Sequence, residues 1–312
     1  MVTKCCVCGN TDDKKFNVLY KKPDYNVVEC SVCKFEFIPA EFRKSISYDE
    51  YKNEKVAEQI RKGNNWIKIQ RHKLRFKTIR KFKANGKLLD FGSGWGHFLL
   101  TAKQLGYEAS GVEVAREMYL YSKNDLHLDV ERIDFFKLDE ENKFDIITMW
   151  DVLEHIDQAD LAIEKCSRII NKNGYLFIQV PQIDSVIART FKDNWKMMSL
   201  DHVNYFSKKT ITQLLNKNGF EVVRIKSSVE LKLFLLYTVL PFVKKVFPKR
   251  KNKTNTKNST ITSEERQQYF NKFTNVPQWA LRIFIFFHNI LYNVLSFLKI
   301  GEEMIVVAKK NN

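Results

Sequence analysis

The chain carries three sets of residues spaced for chemistry. The run Leu88-Leu89-Asp90-Phe91-Gly92-Ser93-Gly94-Trp95-Gly96 reads as an apolar strand ending in an acid, followed by glycine at alternate positions. Glycine lacks a Cβ and accepts left-handed backbone, so such a turn lets the main chain approach a ligand closely. The spacing is G-x-G-x-G, not the G-x-G-x-x-G of dinucleotide enzymes. Glu113 ends the next apolar stretch, and its two acceptor oxygens suit the paired hydroxyls of a ribose; a plain surface acid is the alternative. The second set is Cys5-x-x-Cys8-Gly9 and Cys30-x-x-Cys33. A two-residue gap turns both thiolates of a pair toward one ion, so the four cysteines predict a closed, structural Zn2+ site; free buried thiols are the alternative. Cys6 is a spare neighbour, and Cys166 lies in an apolar helical context that predicts a core position. The third set is His155 and His202, two of only six histidines. Imidazole has the near-neutral basicity needed to take a hydroxyl proton, and packed structural roles are the alternative for both.

The elements that must position these residues follow from periodicity. Strands are predicted at 87–91, 107–113, 128–133, 144–149, 175–180, 221–225 and, much later, 303–307, with helical stretches between them. Gly106, Gly174 and Gly219 stand where helices end. Alternating strands and helices predict an α/β fold on a parallel sheet with right-handed crossovers. His155 then falls just past the fourth strand, on the carboxyl edge where open sheets bind ligands. The segment before the sheet, 41–85, is basic with apolar residues at helical spacing, among them Trp66, Ile67, Phe76 and Ile79.

The glycine run resembles motif I of the class I S-adenosylmethionine-dependent methyltransferases. That resemblance implies a Rossmann-like seven-stranded sheet and S-adenosyl-L-methionine as cofactor. It implies a cofactor site made of Asp90 at the strand tip, Gly92, Ser93, Gly94 and Gly96, with Glu113 on the ribose. Asp134 resembles the acid that contacts the adenine amino group, with Phe135 against the ring, although Glu131 and Asp139 lie close by. Phe144–His155 resembles the F-D-x-x-x-x-x-x-V-L-E-H signature of the broad family that includes ubiquinone-type O-methyltransferases, which adds Trp150 and Asp151 to the cofactor side. His202-Val203-Asn204-Tyr205-Phe206-Ser207 resembles the H-x-x-Y-F-S segment after the fifth strand, where an acceptor loop with Trp195 and Tyr205 is expected. The turn Asn171-Lys172-Asn173-Gly174-Tyr175-Leu176 departs from the L-K-P-G-G-x-L pattern at its Lys, Pro and first Gly, and Asn173 is suited to the left-handed backbone that glycine would supply. Within these families the cysteine-rich module points to the subgroup with an N-terminal zinc-ribbon-like unit.

The expected organisation is a zinc-ribbon-like module over 1–40, a helical lead-in over 41–85, the methyltransferase domain over 86–228 and 301–312, and a helical, basic insertion over 229–300. The long gap between the last two strands exceeds an ordinary connection. From Lys226 to Thr260 nine Lys and Arg face the single acid Glu230, and flanking apolar stretches leave open peripheral membrane contact, a cap over the acceptor or a dimer surface. A formal charge of +16 predicts an anionic partner of some kind. No apolar leader follows Met1, so the expected location is cytoplasmic, with membrane association open. The reaction expected is O-methylation of a small-molecule, glycan or lipid-linked acceptor, with carbon second. Trp150-Asp151-Val152-Leu153 is not the N/D-P-P-aromatic turn that resembling families use for planar amino groups. An RNA-modifying methyltransferase and a non-catalytic cofactor-binding module are the rival readings, with nucleic acid placed behind small acceptors as a partner.

Overall fold

A computed structural model describes residues 3–43, 66–228, 286, 290, 292–297 and 301–311. Part of the expected helical lead-in, 44–65, and most of the expected insertion lie outside the described residues.

The N-terminal segment forms β1 (Phe16–Lys21), β2 (Asn26–Cys30) and β3 (Glu36–Phe37), an antiparallel meander. Helix α1 (Trp66–Ile79) leads into β4 (Lys87–Phe91), α2 (His97–Gln104), β5 (Glu108–Val112), α3 (Arg116–Leu120) and β6 (Asp129–Glu131). Then come β7 (Phe144–Trp150), α4 (Ala159–Ile169), β8 (Ile170–Pro181), α5 (Val186–Phe191), β9 (Asn204–Tyr205), α6 (Lys208–Lys217), β10 (Phe220–Ser228) and β11 (Glu303–Lys310).

The main sheet has seven strands in the order β10-β11-β8-β7-β4-β5-β6. The chain starts in the middle and winds outward both ways, so the carboxyl ends of β4 and β7 meet where the winding direction reverses, the place at which open sheets bind ligands. The central strands are apolar on both faces because helices cover both; in β7 only Asp145 escapes full burial. The sheet is not wholly parallel as the alternation predicts. β11 pairs antiparallel with both β10 and β8. It re-enters at the edge where β10 ends, shown by the Gly301 N–H donating to Ser227 Oγ at 2.9 Å, and a return at the same edge reverses the strand. The turn expected at 171–174, with Gly174 at a helix end, instead falls inside the bounds of β8, which follows α4 directly; Asn173 there takes φ of +60°.

Helix α1 buries Phe76 and Ile79 against the sheet, with the Phe76 ring stacked on Phe98 at 4.7 Å. Helix α6 starts at Ser207, whose hydroxyl accepts from the Thr210 N–H while Thr210 Oγ1 accepts from the Ser207 N–H, a reciprocal cap. A second sheet, β1-β2-β3-β9, joins the N-terminal meander to the strand that follows His202. Among the described residues no helix is long and apolar enough to cross a membrane.

Candidate functional site

The glycine turn leaves β4 with Gly92, Gly94 and Gly96 at φ of +69°, +54° and +72°. The three are glycine for different reasons. A Cβ on Gly96 would lie 2.6 Å from Leu128 Cδ1 and 2.7 Å from Ser122 Oγ, and one on Gly92 would lie 2.8 Å from Val152. Gly94 has only Met118 Sδ at 4.0 Å, so beside it lies room that no protein atom fills. Glu113 ties the turn to β5: its Oε2 accepts from the Gly94 N–H at 2.7 Å and its Oε1 from the Ala115 N–H at 2.8 Å. Burial pushes this carboxyl up, and those backbone donors pull the other way. Each oxygen keeps a second lone pair. Ser93 Oγ is buried without a hydrogen-bond partner. Asp90 lies buried at the strand end, where its Oδ1 accepts from Thr148 Oγ1 at 2.6 Å, and burial raises it to about 8.

Asp134 is exposed and caps the turn after β6 by accepting from the Phe136 N–H at 3.0 Å. Phe135 is buried, its ring stacked on Phe91 at 3.9 Å. Trp150 lies beneath the Arg75 guanidinium, 4.4 Å from the ring centre, and its Nε1 is buried without a partner. Asp151 takes a left-handed φ of +61°. Its Oδ2 pairs with Arg71 at 2.9 Å and Arg75 at 3.0 Å, and its Oδ1 accepts from Gln179 Nε2 at 3.0 Å. Burial opposes ionisation there, but the two guanidinium charges hold Asp151 below the usual carboxylate value. Gln179 also donates to Glu303 at 2.7 Å, which links β7, β8, β11 and α1 in one polar network, buried at Arg75, Gln179 and Glu303. Sequence reasoning passed over Arg71 and Arg75. Their four-residue spacing on a predicted helix, which puts both on one face, was the signal that could have found them.

The two histidines, forty-seven positions apart, meet beyond β7 with ring centres 4.7 Å apart and ring planes at 72°. His155 sits in a short turn, Leu153–His155. Its Nδ1 lies 2.7 Å from the Asp201 carbonyl, and His202 Nδ1 lies 2.7 Å from the Met197 carbonyl. A carbonyl only accepts, so both rings carry their proton on Nδ1 and leave the Nε2 lone pair free. Burial, with the neighbouring His155, lowers His202 to about 4. Glu154 is 1% exposed, with Oε2 unpartnered. Burial, with Asp151 next in effect, raises this carboxyl well above its ordinary value. One donor atom from each of Glu154, His155 and His202 lies within 4.8 Å of the others. Trp195 and Tyr205 are both buried: the indole donates to Glu302 Oε2 at 3.1 Å and the phenol to the Ser199 carbonyl at 3.1 Å.

The cysteine pairs form two matching knuckles. Gly9 and Lys34, the residues after each pair, take φ of +81° and +67° and donate back to the Cys5 and Cys30 carbonyls, each at 2.8 Å. Cys5 and Cys33 sulfurs are 3.5 Å apart, Cys8 and Cys30 3.6 Å, and all four lie within 4.8 Å of one another. A tetrahedral zinc with bonds of about 2.3 Å sets its sulfurs about 3.8 Å apart, so the donor set and spacing fit that ion. The hydrogen bond from Cys5, against the effect of burial, lowers Cys33 to about 5. Cys6 is buried beside the knuckle and Cys166 is buried in α4.

The methyltransferase domain family matches residues 66–225. The chain is 33% identical over 125 residues to a ubiquinone biosynthesis O-methyltransferase of Glaesserella parasuis, a match covering 35% of this chain and 50% of that protein. It is 30% identical over 99 residues to the protein of the same name from Pelagibacter ubique, covering 30% and 41%. The chain thus spans half or less of the length of these relatives. A chain in the Haloferax volcanii complex of the Trm112 methyltransferase activator with a methyltransferase shares the fold, with a TM-score of 0.51 and 12% identity over 86% of this chain and all of that one.

Proposed function

The chain belongs to the methyltransferase domain family, and we propose that it moves a methyl group from S-adenosylmethionine to a hydroxyl oxygen of a small-molecule, glycan or lipid-linked acceptor. The observation that carries the acceptor chemistry is the histidine pair with both Nδ1 atoms bound to carbonyls, beyond the carboxyl end of β7. Bound S-adenosylmethionine supplies an electrophilic sulfonium methyl and its own leaving group, so the residues have three tasks: to hold it, to aim the acceptor oxygen and to take a proton.

The glycine turn takes the cofactor in this reading. The open room at Gly94 accepts a ligand edge where any other residue would place a Cβ. Glu113 offers its remaining lone pairs to the ribose, and Ser93 Oγ finds a partner it lacks within the protein. Exposed Asp134, one oxygen of which caps its own turn, offers the other to the adenine amino group, with Phe135 fixed behind it on Phe91. Asp90 and Trp150 floor the site, and Asp151 fixes its boundary by anchoring Arg71 and Arg75. At the acceptor end His155 Nε2 takes the hydroxyl proton. His202, lowered to about 4, stays neutral at pH 7 and is a weak base, so its task is to aim the acceptor. The four cysteines hold one structural zinc. Membrane contact through 229–300 is supported by Phe286, Ile290, Val294 and Phe297, helical residues that are exposed at spacings of four, four and three.

Calorimetric titration with S-adenosylhomocysteine tests the reading, with NAD as control. Wild-type protein binds S-adenosylhomocysteine alone, and Glu113→Ala weakens it by about tenfold or more, the worth of one charge-assisted hydrogen bond. Equal affinity in the variant removes Glu113 from the ribose, and no binding by folded wild type overturns the cofactor assignment.

A further inference from the structure

The cysteine module is wired to the histidine pair through hydrogen bonds that none of its sequence motifs announces. Its sheet is completed by β9, with Asn204 opposite Phe37 and Tyr205 opposite Glu36. The Ile38 N–H donates to the Val203 carbonyl at 3.0 Å, immediately after His202. Tyr25, between β1 and β2, donates its hydroxyl to the Met198 carbonyl at 2.9 Å, one residue beyond the carbonyl that orients His202. Arg43, just past the module's last turn, donates to the Asp157 carbonyl at 3.0 Å, two residues beyond His155.

Asn204 closes the circuit. Its backbone belongs to the module's sheet, yet its side chain reaches the other histidine. It is 1% exposed, and Nδ2 donates to the Leu153 carbonyl at 3.3 Å and the Ile156 carbonyl at 2.7 Å, the two ends of the turn that carries His155. The Cys6 thiol, between two of the four cysteines, points at Asn204 Oδ1 from 4.0 Å. The glycine turn and Glu113 receive no hydrogen bond from residues 3–43 among those described.

We propose that the four-cysteine module is the positioning element of the acceptor site, and that Asn204 is the positioning residue that carries the module's geometry to His155. This rests on the reading of His155 and His202 as the acceptor pair. Losing the metal, or the Asn204 amide donors, then misaligns the histidines and leaves the cofactor end intact.

The test uses the full chain labelled at histidine Cε1, with His155 and His202 resonances assigned from His155→Gln and His202→Gln. Metal analysis defines the zinc-loaded sample. Zinc-stripped wild type, Asn204→Leu and the milder Tyr25→Phe are compared with it for imidazole titration and for S-adenosylhomocysteine affinity. Burial is the main cause of the low His202 midpoint, and His155, Asp201, Asp151 and the adjacent Glu154 face the ring, so the midpoint reports how the pair is packed. The expected result is a His202 midpoint displaced from about 4 toward the ordinary value of about 6.5, with S-adenosylhomocysteine affinity held within about twofold. Tyr25→Phe, which keeps the ring and loses one hydrogen bond, gives the same displacement at smaller size. Affinity falling in step with the histidine signals makes the module general folding support and overturns the proposal. So do histidine signals unchanged in all three samples. If wild type fails to bind S-adenosylhomocysteine while the signals still respond, the cofactor reading fails and the positioning role stands.

Discussion

The glycine-turn end and the histidine edge of the same sheet are built by opposite means. At the glycine turn the hydrogen bonds of Gly92, Ser93, Gly94 and Gly96 reach partners no more than 28 positions away, although Asp90 before them reaches Thr148. Glu113 accepts from Gly94, nineteen positions away, Ser122 donates to the Gly94 carbonyl, and the Gly92 N–H donates to Val112. At the histidine edge, segments from 25–43, 71–75, 151–157, 195–207 and 302–303 converge, and the contacts that fix them run between buried polar groups. A site made by backbone curvature is set by a few residue types in one stretch. A site made by tertiary closure depends on distant partners arriving together, and each lost partner leaves a buried group unpaired.

That contrast can be broken first at Arg75. This guanidinium is 5% exposed, lies over Trp150 and shares Asp151 with Arg71, which is 32% exposed at its side chain. Arg75→Ala is expected to cost about 1–3 kcal/mol, because it leaves Gln179 Oε1 buried without its donor, while Asp151, 34% exposed, keeps Arg71. Arg71→Ala is expected to cost about 1 kcal/mol or less, as for solvent-screened pairs. Urea denaturation of both variants measures the gap, and equal costs would mean the network is not built around Arg75. Next come the glycines. Gly96→Ala carries the left-handed penalty of about 1–2 kcal/mol and an overpacking penalty of about 1–3 kcal/mol against Leu128 and Ser122. Gly94→Ala carries only the first, but its methyl enters the open room, so S-adenosylhomocysteine affinity falls further than stability does. The same urea and calorimetric measurements check both, and a Gly94→Ala variant with unchanged affinity would remove that room from the cofactor site.

A further effect, absent at neutral pH, is the dependence on pH. His202 is lowered in the folded state, so the unfolded chain binds its proton first. Its contribution to stability is whole above about pH 6.5 and disappears as pH falls through about 4, worth at most about 3 kcal/mol by linkage. The difference between wild-type and His202→Gln melting curves across that window isolates it. Parallel curves would return His202 to an ordinary, solvated histidine.

How much was legible follows the same division. Strand β4 and the glycine turn could be read because an acid, alternate glycines and an apolar run are all local. The two cysteine knuckles were readable from spacing, and Gly9 announces the left-handed residue that ends the first. Lys34, doing the same for the second, carries no such signal. His155 and His202 could be singled out by type and place, but not brought to 4.7 Å, because that contact depends on β9 joining β3. Arg75 was hidden for a related reason: a buried cation on a basic helix looks like a solvated one until its partner, seventy-six residues on, is known. The reversed direction of β11 was invisible as well, since its apolar pattern would suit a parallel strand equally.

That last strand has a consequence for how the molecule comes to be made. β11 lies between β8 and β10 and, among the described residues, is the sole sheet neighbour of β10. Residues 229–302 separate it from β10 in sequence. A chain emerging in order has β8 and β10 ready long before their common neighbour exists. Each then presents an unpaired edge to any other extended segment, the state from which strands mispair and chains associate. The length between Ser228 and Glu303 is therefore also a time, during which correct assembly depends on those two edges staying unclaimed.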